Sequence, residues 1–109
     1  MSVPEISVTE AQQRLALATP PRLIDVREED EWAICRIPGA ELLPLSQWPA
    51  LAQEKLTDLA QPMIIQCHHG GRSGQAAAFL LHHGYTEVVN LAGGIDAWSA
   101  MIDPSVPRY

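Results

Sequence analysis

The sequence predicts an α/β fold with a central, mostly parallel β-sheet and helices on both of its faces. Short apolar runs of strand type alternate along the chain with segments whose apolar residues recur at helical spacing, the pattern of consecutive βαβ units. The 109 residues are 47% apolar and 18% charged, which suits one compact core and leaves little length for a second domain. We therefore expect a single domain over residues 1–109 that ends in a short irregular tail at about residues 103–109.

Helix and strand signals alternate through the first half of the chain. Ser7, followed three residues later by Glu10, forms a capping-box pattern that predicts a helix ending at the breaker "TPP". The next segments are a buried strand, "RLIDV", and a short helix, "REEDEWAIC", whose acidic start suits a helix N-terminus. After the turn "IPGA" come a brief strand, "ELLPL", and a helix, "SQWPALAQEKL", with Ser46 as N-cap and Pro49 in its first turn.

The second half of the chain contains the strongest strand and helix signals. The strand "PMIIQC" leads through a glycine-containing segment into the helix "RSGQAAAFLLHH", which Gly84 terminates. The strand "EVVNL" and a short last helix, "GGIDAWSAM", complete the pattern. Ligand sites of open parallel sheets lie beyond the carboxyl ends of the strands, and Cys67 stands where the strongest strand ends.

Charge and composition argue against several classes of function. A net charge of −6 with a single lysine disfavours binding to nucleic acid and to anionic membrane surfaces. The chain has no apolar stretch long enough to span a bilayer, and its start lacks the basic and apolar regions of a signal peptide. Two cysteines do not make a disulfide framework. We expect a cytoplasmic monomer with reduced thiols.

The segment "CHHGGRS" is the candidate functional site. Its glycines allow backbone conformations in which successive N–H groups point inward, and the start of the following helix adds unpaired N–H groups and a positive dipole end. Arg72 adds a full positive charge. Such a cradle would favour the thiolate of Cys67 or hold an oxyanion beside it. The alternative is that Cys67 is a buried cysteine at a strand end and the glycines only make the turn.

Three motifs resemble the rhodanese family of sulfurtransferases. They are "LIDVREEDEWAICRIPGAELLPL", similar to the family's first signature, "CHHGGRS", similar to its active-site loop, and "GYTEVVNLAGGIDAW", similar to its closing strand and helix. They run from about Leu23 to Trp98 in the order that the family uses. Four residues separate Cys67 from Arg72. Cysteine phosphatases have a longer loop at this point, so the shorter one fits a sulfur atom better than a phosphate.

The resemblance implies a rhodanese-like three-layer fold and a sulfur-transfer reaction. Cys67 would take a sulfur atom from a donor such as thiosulfate or a persulfide, hold it as a persulfide, and give it to a nucleophilic acceptor. The acceptor would be cyanide in an assay and a thiol or a protein in the cell. The resemblance implies neither a metal nor an organic cofactor. It assigns the persulfide-binding loop to His68, His69, Gly70, Gly71, Arg72 and Ser73, with Arg72 closing the loop.

Other residues near the motifs have competing interpretations. By resemblance, Asp25 and Arg27 belong to a hydrogen-bonded framework that holds neighbouring loops. Arg36 stands where the family commonly has a histidine, which indicates a tolerant position or an extra positive charge near the site. We interpret Gly93 and Gly94 as a helix start with close backbone packing, because the full phosphate-binding glycine pattern is absent.

A metal site and a disulfide are the remaining chemical alternatives. His68 and His69 lie next to Cys67, but adjacent residues rarely share one tetrahedral metal and no metal-binding spacing is present. His82 and His83 end a helix and are expected to be structural or surface residues. A disulfide between Cys35 and Cys67 would resolve a persulfide, although the sequence gives no distance between the two.

Two other functions stay open beside the sulfurtransferase. One is a non-catalytic persulfide carrier or regulatory module on the same fold. The other is a phosphatase or arsenate reductase, which the short loop disfavours.

Overall fold

The computed structural model describes residues 2–109, in which five strands form one parallel sheet. The strands are β1 (Glu5–Ile6), β2 (Arg22–Asp25), β3 (Glu41–Leu42), β4 (Met63–Gln66) and β5 (Val88–Leu91), in the order β1-β5-β4-β2-β3. The helices are α1 (Val8–Leu15), α2 (Glu29–Ile34), α3 (Ala50–Lys55), α4 (Gly71–His82) and α5 (Gly94–Met101). The predicted parallel α/β architecture is confirmed.

The central strand β4 is buried on both faces because helices cover both sides of the sheet. Met63, Ile65 and Cys67 belong to a core cluster that includes side chains of α3 and α4. Ile64, which points to the opposite face, packs in a second cluster with side chains of α1 and α5. Cys67 directly follows the last residue of β4 and therefore lies at the carboxyl edge of the sheet.

The structure adds one strand that the sequence did not predict. Strand β1 consists of Glu5 and Ile6, which pair in parallel with Asn90 and Leu91 of β5. Two residues are too few to show an alternating pattern, and the strand ends directly before the helix cap at Ser7. The N-cap half of the predicted capping box is confirmed, since the Ser7 side chain accepts a hydrogen bond from the backbone N–H of Glu10, whereas the Glu10 carboxylate pairs with Arg14.

Two helix boundaries differ from the prediction. Ser46 is not a helix N-cap: it lies in a short 3-10 turn, Leu45–Gln47, and its hydroxyl bonds to Glu28. Pro49 is itself the N-cap of α3 instead of a residue of its first turn. Helix α4 begins at Gly71, one residue before the predicted start at Arg72, so the last residues assigned to the persulfide-binding loop lie in its first turn. Local sequence did not mark these limits because glycine and proline break a helix in several registers.

Residues 103–109 contain neither helix nor strand, yet they lie against the domain. Val106 is buried in the core cluster of α1 and α5. No helix in residues 2–109 combines the length and the apolar character that crossing a membrane requires.

Candidate active site

The sulfur of Cys67 lies at the centre of a tight loop between β4 and α4. The side chain is 1% exposed, and its Sγ accepts a hydrogen bond from the backbone N–H of Gly70 at 3.1 Å. The hydroxyl oxygen of Ser73 is 3.3 Å from the same sulfur. Gly70 has φ +114°, a conformation that strongly favours glycine, and this turns the loop back toward the sulfur.

The loop favours the thiolate of Cys67 over the thiol. Burial raises the pKa of the thiol, but hydrogen bonds from the Ser73 hydroxyl and from the backbone N–H groups of Ser73, Gly70 and His69 outweigh it. The pKa of Cys67 therefore lies below its ordinary value. Hydrogen-bond donors converge on one buried sulfur, as the glycine-containing loop and the helix start led us to expect.

The start of α5 holds the outer side of the loop. The N–H of Ile95 donates to the carbonyl of Cys67 at 2.8 Å, and the N–H of Asp96 donates to the carbonyl of His68 at 3.1 Å. A Cβ atom on Gly94 would overlap the Cys67 carbonyl oxygen and lie 2.6 Å from that of His68. The close approach therefore requires glycine, which agrees with our interpretation of this turn as backbone packing. Because the carbonyls are tied to α5, the loop N–H groups are left to face the sulfur.

Arg72 forms a two-point ion pair with Glu31 of α2. The Nη1–Oε1 distance is 2.5 Å and the Nη2–Oε2 distance is 2.9 Å. The hydrogen bond from Arg72 lowers the pKa of Glu31 to about 2, despite partial burial of the carboxylate. The guanidinium thus fastens α2 to the first turn of α4, and its charge is partly neutralised by a carboxylate. Sequence reasoning treated this acidic segment only as a helix start, and Glu31 was missed.

Asp25 and Arg27 form a fully buried pair beside this region. Both side chains are 0% exposed, and the guanidinium binds the carboxylate at 2.7 Å and 3.0 Å. The same guanidinium donates to the backbone carbonyl of Cys35 at 2.7 Å. These contacts tie the end of β2 to the segment after α2, as expected for a structural framework. Neither Asp25 nor Arg27 forms a hydrogen bond with the Cys67 sulfur.

Tyr109 joins the framework to the loop. Its hydroxyl accepts a hydrogen bond from Arg27 at 2.9 Å and donates one to Glu31 at 2.7 Å. Its ring stacks on the imidazole of His68, with centroids 3.9 Å apart and planes 7° apart. The sequence predicted only an irregular tail at residues 103–109 and did not identify Tyr109 as a neighbour of the site, because nothing in the local sequence indicates where its side chain lies.

The other predicted candidates lie outside this arrangement. Arg36 stacks its guanidinium over the ring of Trp32, 4.5 Å from the centroid. His83 is bonded to the carbonyl of Phe79 in the last turns of α4. Within residues 2–109, no three His, Cys, Asp or Glu side chains are grouped so as to hold a metal ion.

The two cysteines are both free and pack in different core clusters. Cys67 belongs to the cluster on the side of α3 and α4, whereas Cys35 belongs to the cluster of α1 and α5. The sheet separates the two clusters. This arrangement gives no support to a disulfide between Cys35 and Cys67.

Comparison with known proteins finds the family described as "Rhodanese-like domain", whose profile matches residues 7–101. A protein named sulfurtransferase from Allochromatium vinosum is 40% identical over 97 residues, which cover 89% of each chain. The thiosulfate sulfurtransferase GlpE of Pseudoalteromonas translucida is 35% identical over 86 residues, 79% of this chain and 80% of that one.

Longer proteins and solved structures are also similar. A chloroplastic rhodanese-like/PpiC domain-containing protein of Arabidopsis thaliana is 40% identical over 90 residues, and this chain spans only 30% of its length. The structure of the human single-domain sulfurtransferase TSTD1 superposes with a TM-score of 0.77 at 31% identity, covering 91% of this chain and 97% of the human one.

Proposed function

The chain belongs to the rhodanese-like domain family, and from this we propose that it is a sulfurtransferase in which Cys67 carries the transferred sulfur as a persulfide. The observation that supports this most directly is the convergence of the Gly70 N–H and the Ser73 hydroxyl on a buried sulfur whose pKa is lowered. Similar proteins of comparable length are named sulfurtransferase or thiosulfate sulfurtransferase. We propose thiosulfate or a persulfide as the donor, and a thiol or a protein as the acceptor.

In the first half-reaction, the Cys67 thiolate attacks the outer sulfur of thiosulfate. A new S–S bond forms at Cys67, the S–S bond of thiosulfate breaks, and sulfite leaves with the bonding electron pair. The outer sulfur of the persulfide then carries the negative charge. The backbone N–H groups of the loop, fixed before the reaction, are suited to stabilise that charge at little cost in reorganisation.

In the second half-reaction, a nucleophilic acceptor attacks the outer sulfur and Cys67 departs as a thiolate. The hydrogen bonds that lower the pKa of Cys67 also make it a better leaving group, because they stabilise the charge it regains. The same donors therefore assist both halves of the cycle.

The ion pair of Arg72 and Glu31 supports a role for Arg72 in closing the site. It fastens α2 to the first turn of α4, beside the cysteine loop. The pKa of the Arg72 guanidinium is raised first by its hydrogen bond to Glu31 and also by the charge of the Cys67 thiolate, which supports an electrostatic contact between Arg72 and the sulfur.

Intact-mass measurement after incubation with thiosulfate tests the proposal. We expect the gain of one sulfur atom, its removal by cyanide or a small thiol, and loss of both in Cys67→Ala. Cys35→Ala is the matched control and is expected to load normally. No added sulfur on the wild-type protein would overturn the proposal. A persulfide that forms but is not turned over would support the alternative of a carrier or regulatory module.

A further inference from the structure

One buried side chain is hydrogen-bonded to two residues that contact the Cys67 sulfur. Asn90, in β5, is 2% exposed. Its Oδ1 lies 2.6 Å from the hydroxyl oxygen of Ser73, and its Nδ2 donates to the carbonyl of Gly70 at 3.1 Å. These are residues whose hydroxyl (Ser73) and backbone N–H (Gly70) lie within hydrogen-bond distance of the sulfur. A single amide on a neighbouring strand thus braces two parts of the loop.

The orientation of the Asn90 amide follows from its partners. Its nitrogen faces two oxygens that can only accept a hydrogen bond, the carbonyl of Gly70 and the carboxylate of Glu5 at 2.9 Å. The reversed amide would place its own oxygen against both of these acceptors. The amide oxygen must therefore face Ser73, and Ser73 must donate its hydroxyl proton to Asn90.

The hydroxyl of Ser73 therefore has two competing acceptors, the Asn90 oxygen and the Cys67 sulfur. A serine hydroxyl carries one hydrogen, and the 2.6 Å contact with Asn90 is much shorter than the 3.3 Å contact with Cys67. While the hydroxyl hydrogen lies on Asn90, Ser73 can only accept a hydrogen bond from the thiol, and that bond favours the neutral form of Cys67. For Ser73 to stabilise the thiolate, its proton must turn from Asn90 to the sulfur.

We propose that Asn90 is a positioning residue that restrains ionisation of the resting Cys67 by competing with the sulfur for the hydroxyl hydrogen of Ser73. The backbone N–H groups of the loop favour the thiolate, whereas Asn90 keeps the hydroxyl of Ser73 from donating to the sulfur. Cys67 would then be reactive enough to accept sulfur but would react more slowly with oxidants and unrelated electrophiles than a fully ionised thiolate. The proposal concerns the thiol itself and does not depend on the identity of the sulfur donor.

Charged groups around the sulfur belong to several elements and are unchanged by the substitutions proposed below. Arg72 and its partner Glu31 come from α4 and α2, and Glu5 lies behind Asn90. His68 and His69 precede Gly70 in the loop, and Asp96 of α5 lies near His69.

Titration of the thiolate by its ultraviolet absorbance tests the proposal. All variants carry Cys35→Ser, so that only Cys67 contributes. We expect Asn90→Ala to lower the pKa of Cys67 by roughly half a unit or more, because Ser73 becomes free to donate to the thiolate. Asn90→Asp keeps an acceptor for Ser73 and adds a negative charge, so it is expected to raise the pKa. Ser99→Ala removes a buried hydroxyl from α5 and is the control expected to change nothing.

The double variant Asn90→Ala/Ser73→Ala separates this role from a general loosening of the loop. If Asn90 acts through Ser73, replacing Asn90 in the Ser73→Ala background leaves the titration unchanged. An unchanged or raised pKa in Asn90→Ala, or the same fall in the absence of Ser73, would overturn the proposal.

Two further measurements keep this result apart from folding and from sulfur transfer. Circular dichroism establishes whether Asn90→Ala is folded. If it is not, Asn90→Leu also removes the acceptor while filling the space, and the same downward shift is expected. Sulfur loading from thiosulfate is measured separately by mass, so a protein that fails to load sulfur can still support or contradict the role of Asn90.

Discussion

Glu31 and Arg72 lie 41 positions apart in the chain and meet through two parallel hydrogen bonds. The carboxylate comes from the short acidic helix α2, and the guanidinium from the first turn of α4, beside the cysteine loop. The pair therefore couples the position of α2 to the geometry of the candidate site. The pKa of Arg72 is raised mainly by its hydrogen bond to Glu31 and to a smaller extent by the negative charge of the Cys67 thiolate.

Glu31→Gln is expected to make the free energy of unfolding less dependent on pH in the acid range. The pKa of Glu31 is about 2 in the folded protein and about 4.3 in an unfolded chain. The ionised carboxylate therefore stabilises the fold fully at pH values above about 4.3, and this contribution is lost as the pH falls toward 2. Since the Arg72 side chain is 37% exposed, we expect a loss of only about 1 kcal/mol at neutral pH. Urea denaturation should show this difference shrinking as the pH falls from about 4.5 toward 2. A difference that does not vary with pH would contradict the assignment.

Arg72→Ala is expected to reduce sulfur loading more than it reduces stability. The variant removes a cation whose charge is felt at Cys67 and releases α2 from α4. We expect loading from thiosulfate to slow by about tenfold, equivalent to about 1.4 kcal/mol in the barrier. Arg72→Lys keeps the charge without the two-point geometry and should be intermediate. Loading that stays normal in a destabilised Arg72→Ala protein would indicate a structural role only.

Gly94→Ala should disrupt the loop from its outer side. The added Cβ would overlap the carbonyl of Cys67, and φ of +58° is unfavourable for alanine. We expect a loss of about 3 kcal/mol in the free energy of unfolding, combining overpacking with backbone strain. Gly39→Ala is the matched control: its φ is +87° but nothing lies within 4 Å, so only the strain of about 1 kcal/mol applies. Equal losses in the two variants would show that the carbonyl contact is unimportant.

Tyr109 should control the ionisation of His68 through its ring and not through its hydroxyl. The pKa of His68 is lowered by burial and then by the neighbouring charge of His69. Tyr109→Ala uncovers the imidazole, so its pKa should rise toward the usual value of about 6.5, as followed by NMR titration. Tyr109→Phe keeps the stacked ring and should leave this pKa nearly unchanged, while losing the hydrogen bonds to Arg27 and Glu31. A similar rise in both variants would exclude the stacking explanation.

The sequence predicted the main layers of the fold because these depend on local patterns. The apolar run before Cys67 and the alanine-containing helix after it are strong signals, and they place the cysteine at the carboxyl edge of a parallel sheet. The turn at Gly94 was also predictable, since a glycine pair between a strand and a helix indicates close backbone packing.

The partners of the loop could not be predicted, since they depend on distant contacts. Asn90 sits within an otherwise apolar strand, and nothing in "EVVNL" indicates that its amide reaches Ser73 and Gly70. Glu31 is one of four consecutive acidic residues, and only the packing of α2 decides which one meets Arg72. Tyr109 contacts Glu31 from 78 positions away. Such contacts follow from tertiary packing, which residue type and spacing alone do not determine.

The anchoring of the loop by α5 has a consequence for how this protein could acquire new partners. The carbonyls of Cys67 and His68 are fixed by peptide N–H groups, and these contacts make no use of the imidazoles of His68 and His69. The two side chains can therefore be exchanged without removing the backbone hydrogen bonds that hold the loop on α5, although replacing His68 also removes its stacking on Tyr109. A combinatorial library at positions 68 and 69 would vary the side chains that an acceptor contacts and would keep the backbone donors around the Cys67 sulfur.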